Sequence, residues 1–140
     1  MDDLRLTGGQ ALNGLLAGTY LALGVAVMPA LHGLPDDTFV RVMNRINVVI
    51  VNPLFLTLFL GAPVLAVILA IVRSDPLTIA AAVAAVSVVV TTIAVNVPLN
   101  DALTKGGTRE AYEGPWVLWH YFRTGVAAVA FSLLCIATTS

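Results

Sequence analysis

The chain has 140 residues, 59% hydrophobic and 11% charged, with a mean hydropathy of +0.93; a soluble domain carries about a quarter charged residues, so this composition points to a membrane protein. A formal net charge of −1 and a pI near 6.0 offer no cationic field for nucleic acid or strongly anionic lipid. The single cysteine, Cys135, excludes an intrachain disulfide or a C-x-x-C pair, and with them thiol–disulfide exchange as the activity.

A span needs about 20 mainly apolar residues to cross roughly 30 Å of hydrocarbon at about 1.5 Å per residue. Four windows qualify: about 10–28, ending at Pro29; about 48–72 or 53–72, ahead of Arg73-Ser74-Asp75-Pro76; about 77–97, reaching Pro98; and about 116–138. The first begins Met1-Asp2-Asp3 and lacks a basic n-region, so it reads as a mature helix rather than a signal peptide. Within it, Gly14-x-x-x-Gly18 with Ala22 and Gly24 forms a flat strip suited to packing inside a bundle, and the same strip could serve a homo-oligomer.

Between the first two windows, Pro35-Asp36-Asp37 predicts a helix start in which an Asp side chain caps free backbone amides. Phe39, Val42, Met43, Ile46 and Val49 recur at helical spacing, with Arg41, Asn44 and Arg45 on the other face. This segment reads either as a short interfacial helix against the bundle mouth or as an extension of the second span, with Asn52-Pro53 as break or kink. Short connections make consecutive helices antiparallel neighbours. The expected fold is all-α, a single domain over 1–140: a four-helix transmembrane bundle, up-down-up-down, with the short helix between the first two spans.

In such a bundle one membrane face collects His32, Asn44, Asn47, Asn52, Asn96, Asn100, Asp101, Trp116, Trp119, His120 and Arg123, whereas the other holds little beyond Arg5, Asn13, Arg73 and Asp75. Trp116, Trp119, His120 and Arg123 follow i, i+3, i+4, i+7 spacing and can face one cavity. Arg123 lies roughly two turns inside an apolar segment, where a cation requires a partner, water or snorkelling. Amides of Asn96 and Asn100, or carbonyls that Pro98 leaves free, are its expected structural partners. Trp116 suits an interfacial anchor and Trp119 a cavity wall. Arg41, Arg45, Lys105 and Arg109 flank this face against Arg5 and Arg73 opposite, so the positive-inside bias puts it in the cytoplasm.

The strings Gly24-Val25-Ala26-Val27-Met28-Pro29-Ala30-Leu31, Phe39-Val40-Arg41-Val42-Met43-Asn44-Arg45-Ile46-Asn47, Asn52-Pro53-Leu54-Phe55, Asn96-Val97-Pro98-Leu99-Asn100 and Trp116-Val117-Leu118-Trp119-His120-Tyr121-Phe122-Arg123-Thr124 resemble, in order and over almost the whole chain, the anthrone oxygenase-like (DUF1772) membrane family. The resemblance implies a four-span protein of the bacterial inner (plasma) membrane. Its named members oxidise an anthrone to an anthraquinone, with molecular oxygen as co-substrate and no obvious cofactor. Bacterial members often carry W-x-x-W-N, so His120 stands where Asn is usual.

For that chemistry a protein need supply only a base, an anion-stabilising cation and a dry pocket. His120 is the expected base and Arg123 the cation, with His32, Arg41, Asn47, Asn52, Asn96, Asn100, Trp116 and Trp119 binding an apolar aromatic ligand. Two histidines with Asp101 or Glu113 lack H-x-x-x-H or E-x-x-H spacing, so no metal is expected, and only His120 clearly enters a span as a haem ligand would. No span holds an acidic residue, which ranks proton-coupled transport below catalysis. The alternative is a non-catalytic membrane protein binding a lipid, a quinone or a partner subunit.

Overall fold

The computed structural model describes residues 1–137 and, among them, folds them into helices and no strand. We number the helices α1 (Asp2–His32), α2 (Asp36–Val49), α3 (Pro53–Arg73), α4 (Pro76–Thr104) and α5 (Arg109–Ile136). Of these, α1, α3, α4 and α5 are long and apolar enough to cross a membrane, the mark of a multi-pass integral membrane protein. Thr138, at the end of the fourth window, lies outside the described residues.

Helix α2 is separate from α3, which decides between the two readings of this segment. Asn52 makes the break: its Oδ1 accepts from the Phe55 amide, capping α3, while its Nδ2 donates to the Val49 and Ile50 carbonyls. The expected Asp cap on α2 does not form. Pro35 holds the N-cap position without a side-chain bond, and Asp36 turns instead to Arg109, 3.1 Å away. Val49, expected on the apolar face, is exposed. At the opposite end Asp75 does cap α4, accepting from the Leu77 and Thr78 amides, and Ser74 closes α3 in the left-handed conformation.

Neither Pro29 nor Pro98 ends its helix. A proline lacks an amide N–H, and its ring clashes with the carbonyl four residues back. Both helices absorb this with a π-turn just upstream, Leu23–Val27 in α1 and Thr92–Asn96 in α4, where Met28 N–H bonds Leu23 O and Val97 N–H bonds Thr92 O. The buried seam of α1 runs Leu6, Gly9, Asn13, Leu16, Tyr20 in alternating steps of three and four, then resumes at Gly24, Met28 and Leu31. Those later positions are one residue behind an unbroken pattern. The inserted residue therefore keeps the apolar face turned inward past the proline.

Helix α1 packs on α3 and α5, and α4 packs on the same two. Tyr20 meets Phe55, Asn13 donates to Ala62 O, and an added Cβ on Gly14 would lie 2.9 Å from the Phe131 ring. With His120 donating to Tyr20 O and Gln10 to Leu134 O, these contacts run α1 opposite to both α3 and α5. The Gly14 strip is thus used inside the chain, although Gly18 has open space beside it. Ala66, Ala82, Ala84, Ala85 and Ala130 form an all-alanine core cluster, which lets backbones approach where lipid supplies no hydrophobic drive.

Candidate functional site

Helix α5 buries Tyr112, Trp116, His120, Arg123, Ala127, Ala130 and Leu134. At about 100° per residue these fall within roughly 40° either side of Trp116. Trp119 lies at about −60°, just outside that stripe. It is 39% exposed, meets Phe122 edge-on and does not line the cavity described below, so the tryptophan expected as cavity wall faces outward, and Trp116, expected as an anchor, is the buried one.

Arg123 is 6% exposed and has no carboxylate partner among the described residues. Its Nε donates to His120 Nδ1 at 3.0 Å and its Nη1 to Thr92 Oγ1 at 3.1 Å. The guanidinium carbon lies 4.6 Å from the Tyr20 ring centroid and 5.2 Å from that of Trp116, so two π faces share in holding the cation. The expected partners, the Asn96 and Asn100 amides or carbonyls freed by Pro98, are not the ones used. Thr92 was not singled out in the sequence, yet it stands one turn before Asn96 in the π-turn of α4.

His120 is fully buried, stacked on Trp116 at 4.8 Å and edge-on to Tyr20 at 5.4 Å. A guanidinium only donates and a carbonyl only accepts, so its partners assign the tautomer. Nδ1 accepts from Arg123, and Nε2–H donates to Tyr20 O at 2.8 Å. Both ring nitrogens are occupied. The imidazole has to release Arg123 before it can accept a proton.

Arg123 forms part of the wall of a mostly enclosed cavity of about 240 Å³ at the meeting of all five helices. Tyr20, Thr92 and Trp116 surround the guanidinium; Leu23, Val27, Phe55, Leu56 and Phe59 make an apolar wall; Met43, Ile46 and Asn47 of α2 form the roof. Asn100 also faces it. Its Oδ1 accepts from both Tyr112 Oη (2.8 Å) and Trp116 Nε1 (3.0 Å), which leaves Nδ2 as its remaining polar group. Asn47 Nδ2 is buried beside the Tyr112 hydroxyl without a well-directed hydrogen bond, and the Tyr20 hydroxyl stands in the same relation to Thr92. The polar groups around the cavity are therefore mostly donors, and no carboxylate lines it among the described residues.

Several expected ligand-binding residues lie elsewhere. Asn52 is spent on the α3 cap. Arg41 is exposed on the outer face of α2, opposite to Met43 and Asn47, because it falls on the polar side of that helix. Asn96 is 1% exposed with neither amide atom paired, yet it does not line the cavity. His32 is exposed and pairs with Glu113 at 2.8 Å in a surface groove. It belongs to a clamp centred on Arg109, which also bonds Glu113 Oε1, the Leu34 and His32 carbonyls and Asp36, and lies over the Phe39 ring. This clamp ties the end of α1 and the start of α2 to α5.

The sequence model of a family described as anthrone oxygenase matches residues 39–133, more than half of the chain. No curated protein and no solved structure matches it.

Proposed function

We propose, from the premise that the chain belongs to the anthrone oxygenase family, that it oxygenates an enolisable aromatic ketone of the anthrone type in the cavity beside Arg123. The observation that carries this reading is a buried guanidinium, without a counter-ion among the described residues, on the wall of a largely apolar, mostly enclosed space. Such a cation favours an anionic ligand oxygen and lowers the cost of ionising a carbon acid whose charge settles on that oxygen. Asn47 and Asn100 add amide donors, and Trp116 offers an aromatic face.

The stoichiometry is anthrone plus O₂ giving anthraquinone plus water. The C–H proton leaves, the carbanion gives its electrons to O₂, and a C–O bond forms as a hydroperoxide. Loss of water then breaks the O–O bond and leaves the second carbonyl. Arg123 serves as anion stabiliser throughout. His120 acts as a positioning residue that aims Arg123, and the proton passes to water, for which the cavity has room at about 30 Å³ each. A binding-only protein is the second reading, favoured by the cavity's lack of a carboxylate or an unengaged imidazole.

Oxygen uptake by the purified protein with anthrone, with anthraquinone formation followed alongside, tests the proposal. Arg123→Leu should abolish turnover and cost roughly 1–3 kcal/mol in stability for each partner left unpaired. Arg123→Lys should restore part of the activity, since it returns the charge without the planar fork. A folded Arg123→Leu protein that turns over like the parent would refute the assignment, and tight binding without oxygen uptake would select the second reading.

A further inference from the structure

The cavity is capped at the bundle end by a buried cluster and lined at its side by exposed apolar residues. Above it, Phe39 (0% exposed), Met43 (1%), Met28, Leu31, Leu103, Tyr112 and Trp116 form one buried cluster. The Arg109 clamp holds α2 over that plug. Three residues that line the cavity are also exposed on the molecular surface: Val51 (64%), Leu56 (38%) and Val97 (42%). All three are apolar, and they lie where α3 begins and where α4 leaves its π-turn. Both places are irregular for reasons already given: the Asn52 break separates α2 from α3, and the turn before Pro98 displaces the end of α4.

We propose that this arc, Val51–Leu56–Val97, is a lateral portal through which an uncharged, bilayer-dissolved ring compound with oxygen acceptors on one edge enters the cavity. The ligand's oxygen edge goes to Arg123, Asn47 and Asn100, and its apolar edge stays toward the portal. A pre-formed anion is excluded as the entering species, because carrying a charge through an apolar portal costs far more than ionising it beside Arg123. This rests on the cavity being the ligand site proposed above; whether the ligand is then oxidised does not enter.

The test needs no ligand. In a Cys135→Ser background, which removes the exposed native thiol, Met28→Cys puts a reporter thiol on the cavity wall. Protein in phosphatidylcholine vesicles is treated at mildly alkaline pH with uncharged N-phenylmaleimide or with a sulfonated methanethiosulfonate, and detergent-unfolded samples define complete labelling. The uncharged reagent should label the folded protein and the charged one should not. Adding Leu56→Trp should slow the uncharged reagent roughly tenfold, equivalent to an added entry barrier of about 1.4 kcal/mol. Phe39→Ala, which thins the plug, should admit the charged reagent and shows that the thiol can react with it. Equal labelling by both reagents without Phe39→Ala, an unchanged rate with Leu56→Trp, or no labelling of folded protein by either reagent would each overturn the portal. A protein that passes this test yet takes up no oxygen with anthrone would lose the catalytic reading and keep the portal.

Discussion

At the residue scale, the two tryptophans show how narrow the margin between wall and lipid is. Trp116 and Trp119 are three positions apart, and about 60° of helix rotation puts one against His120 and the other outward. Trp116→Leu should therefore weaken ligand binding and lower the melting temperature in detergent, because it removes the ring over Arg123, the stack on His120 and the donor to Asn100. Trp119→Leu should leave both within error; equal losses from the two would contradict the assignment. His120→Asn should be milder than Arg123→Leu, since an amide can still meet one of the two partners while the cation stays. Turnover and melting temperature measured on the same preparations check this. An inactive, fully folded His120→Asn protein would restore the imidazole as a base.

At the element scale, the break between α2 and α3 and the two π-turns create the cavity's shape. Asn52 bonds four backbone groups across the break if its cap on Phe55 is counted with the Val49 and Ile50 carbonyls and the Leu56 amide that its own carbonyl receives. Asn52→Ala should cost about 0.5–2 kcal/mol through loss of the cap. The ligand should still bind, because Asn52 does not line the cavity. A thermal melt paired with a binding isotherm decides: a collapse of affinity at unchanged stability would return Asn52 to the site. The prolines explain the rest. Pro29 and Pro98 look like helix ends in the sequence, but each follows a π-turn that lets the helix continue, so α1 and α4 run to His32 and Thr104.

At the scale of the whole molecule, Arg41, Arg45 and Lys105 remain exposed around the cavity end, while Arg109 is drawn into its clamp and Arg5 and Arg73 pair with Asp2 and Asp75 at the far end. The Lys and Arg near span ends set orientation, paired or not, and Arg41, Arg45, Lys105 and Arg109 outnumber Arg5 and Arg73, so the cavity end should face the cytoplasm and the C-terminus the other side. Fused reporters check this: alkaline phosphatase at the C-terminus should be active, and a fluorescent C-terminal reporter that matures in the cytoplasm would reverse the orientation. The clamp has a consequence at the same scale. Arg109 joins the end of α1 and the start of α2 to α5, about 75 residues away in sequence, which the pattern of charges along the chain does not display.

What was legible in the sequence was composition-level and periodic: a four-span helical protein, an amphipathic helical segment before Asn52, and the placement of Arg123 inside an apolar helix, each readable because apolar runs and i, i+4 spacing act locally. Tertiary structure alone decided which polar groups meet. Arg123 is held by Thr92 and two aromatic faces rather than by Asn96, His120 has both nitrogens occupied, and Tyr20, which no motif in the sequence marks, becomes a wall of the site. The reason is geometric. One residue inserted at the π-turn of α4 rotates the side chains beyond it by about 100° relative to Thr92, and the buried cation is held by Thr92 and the rings around it rather than by the amides at and after the turn.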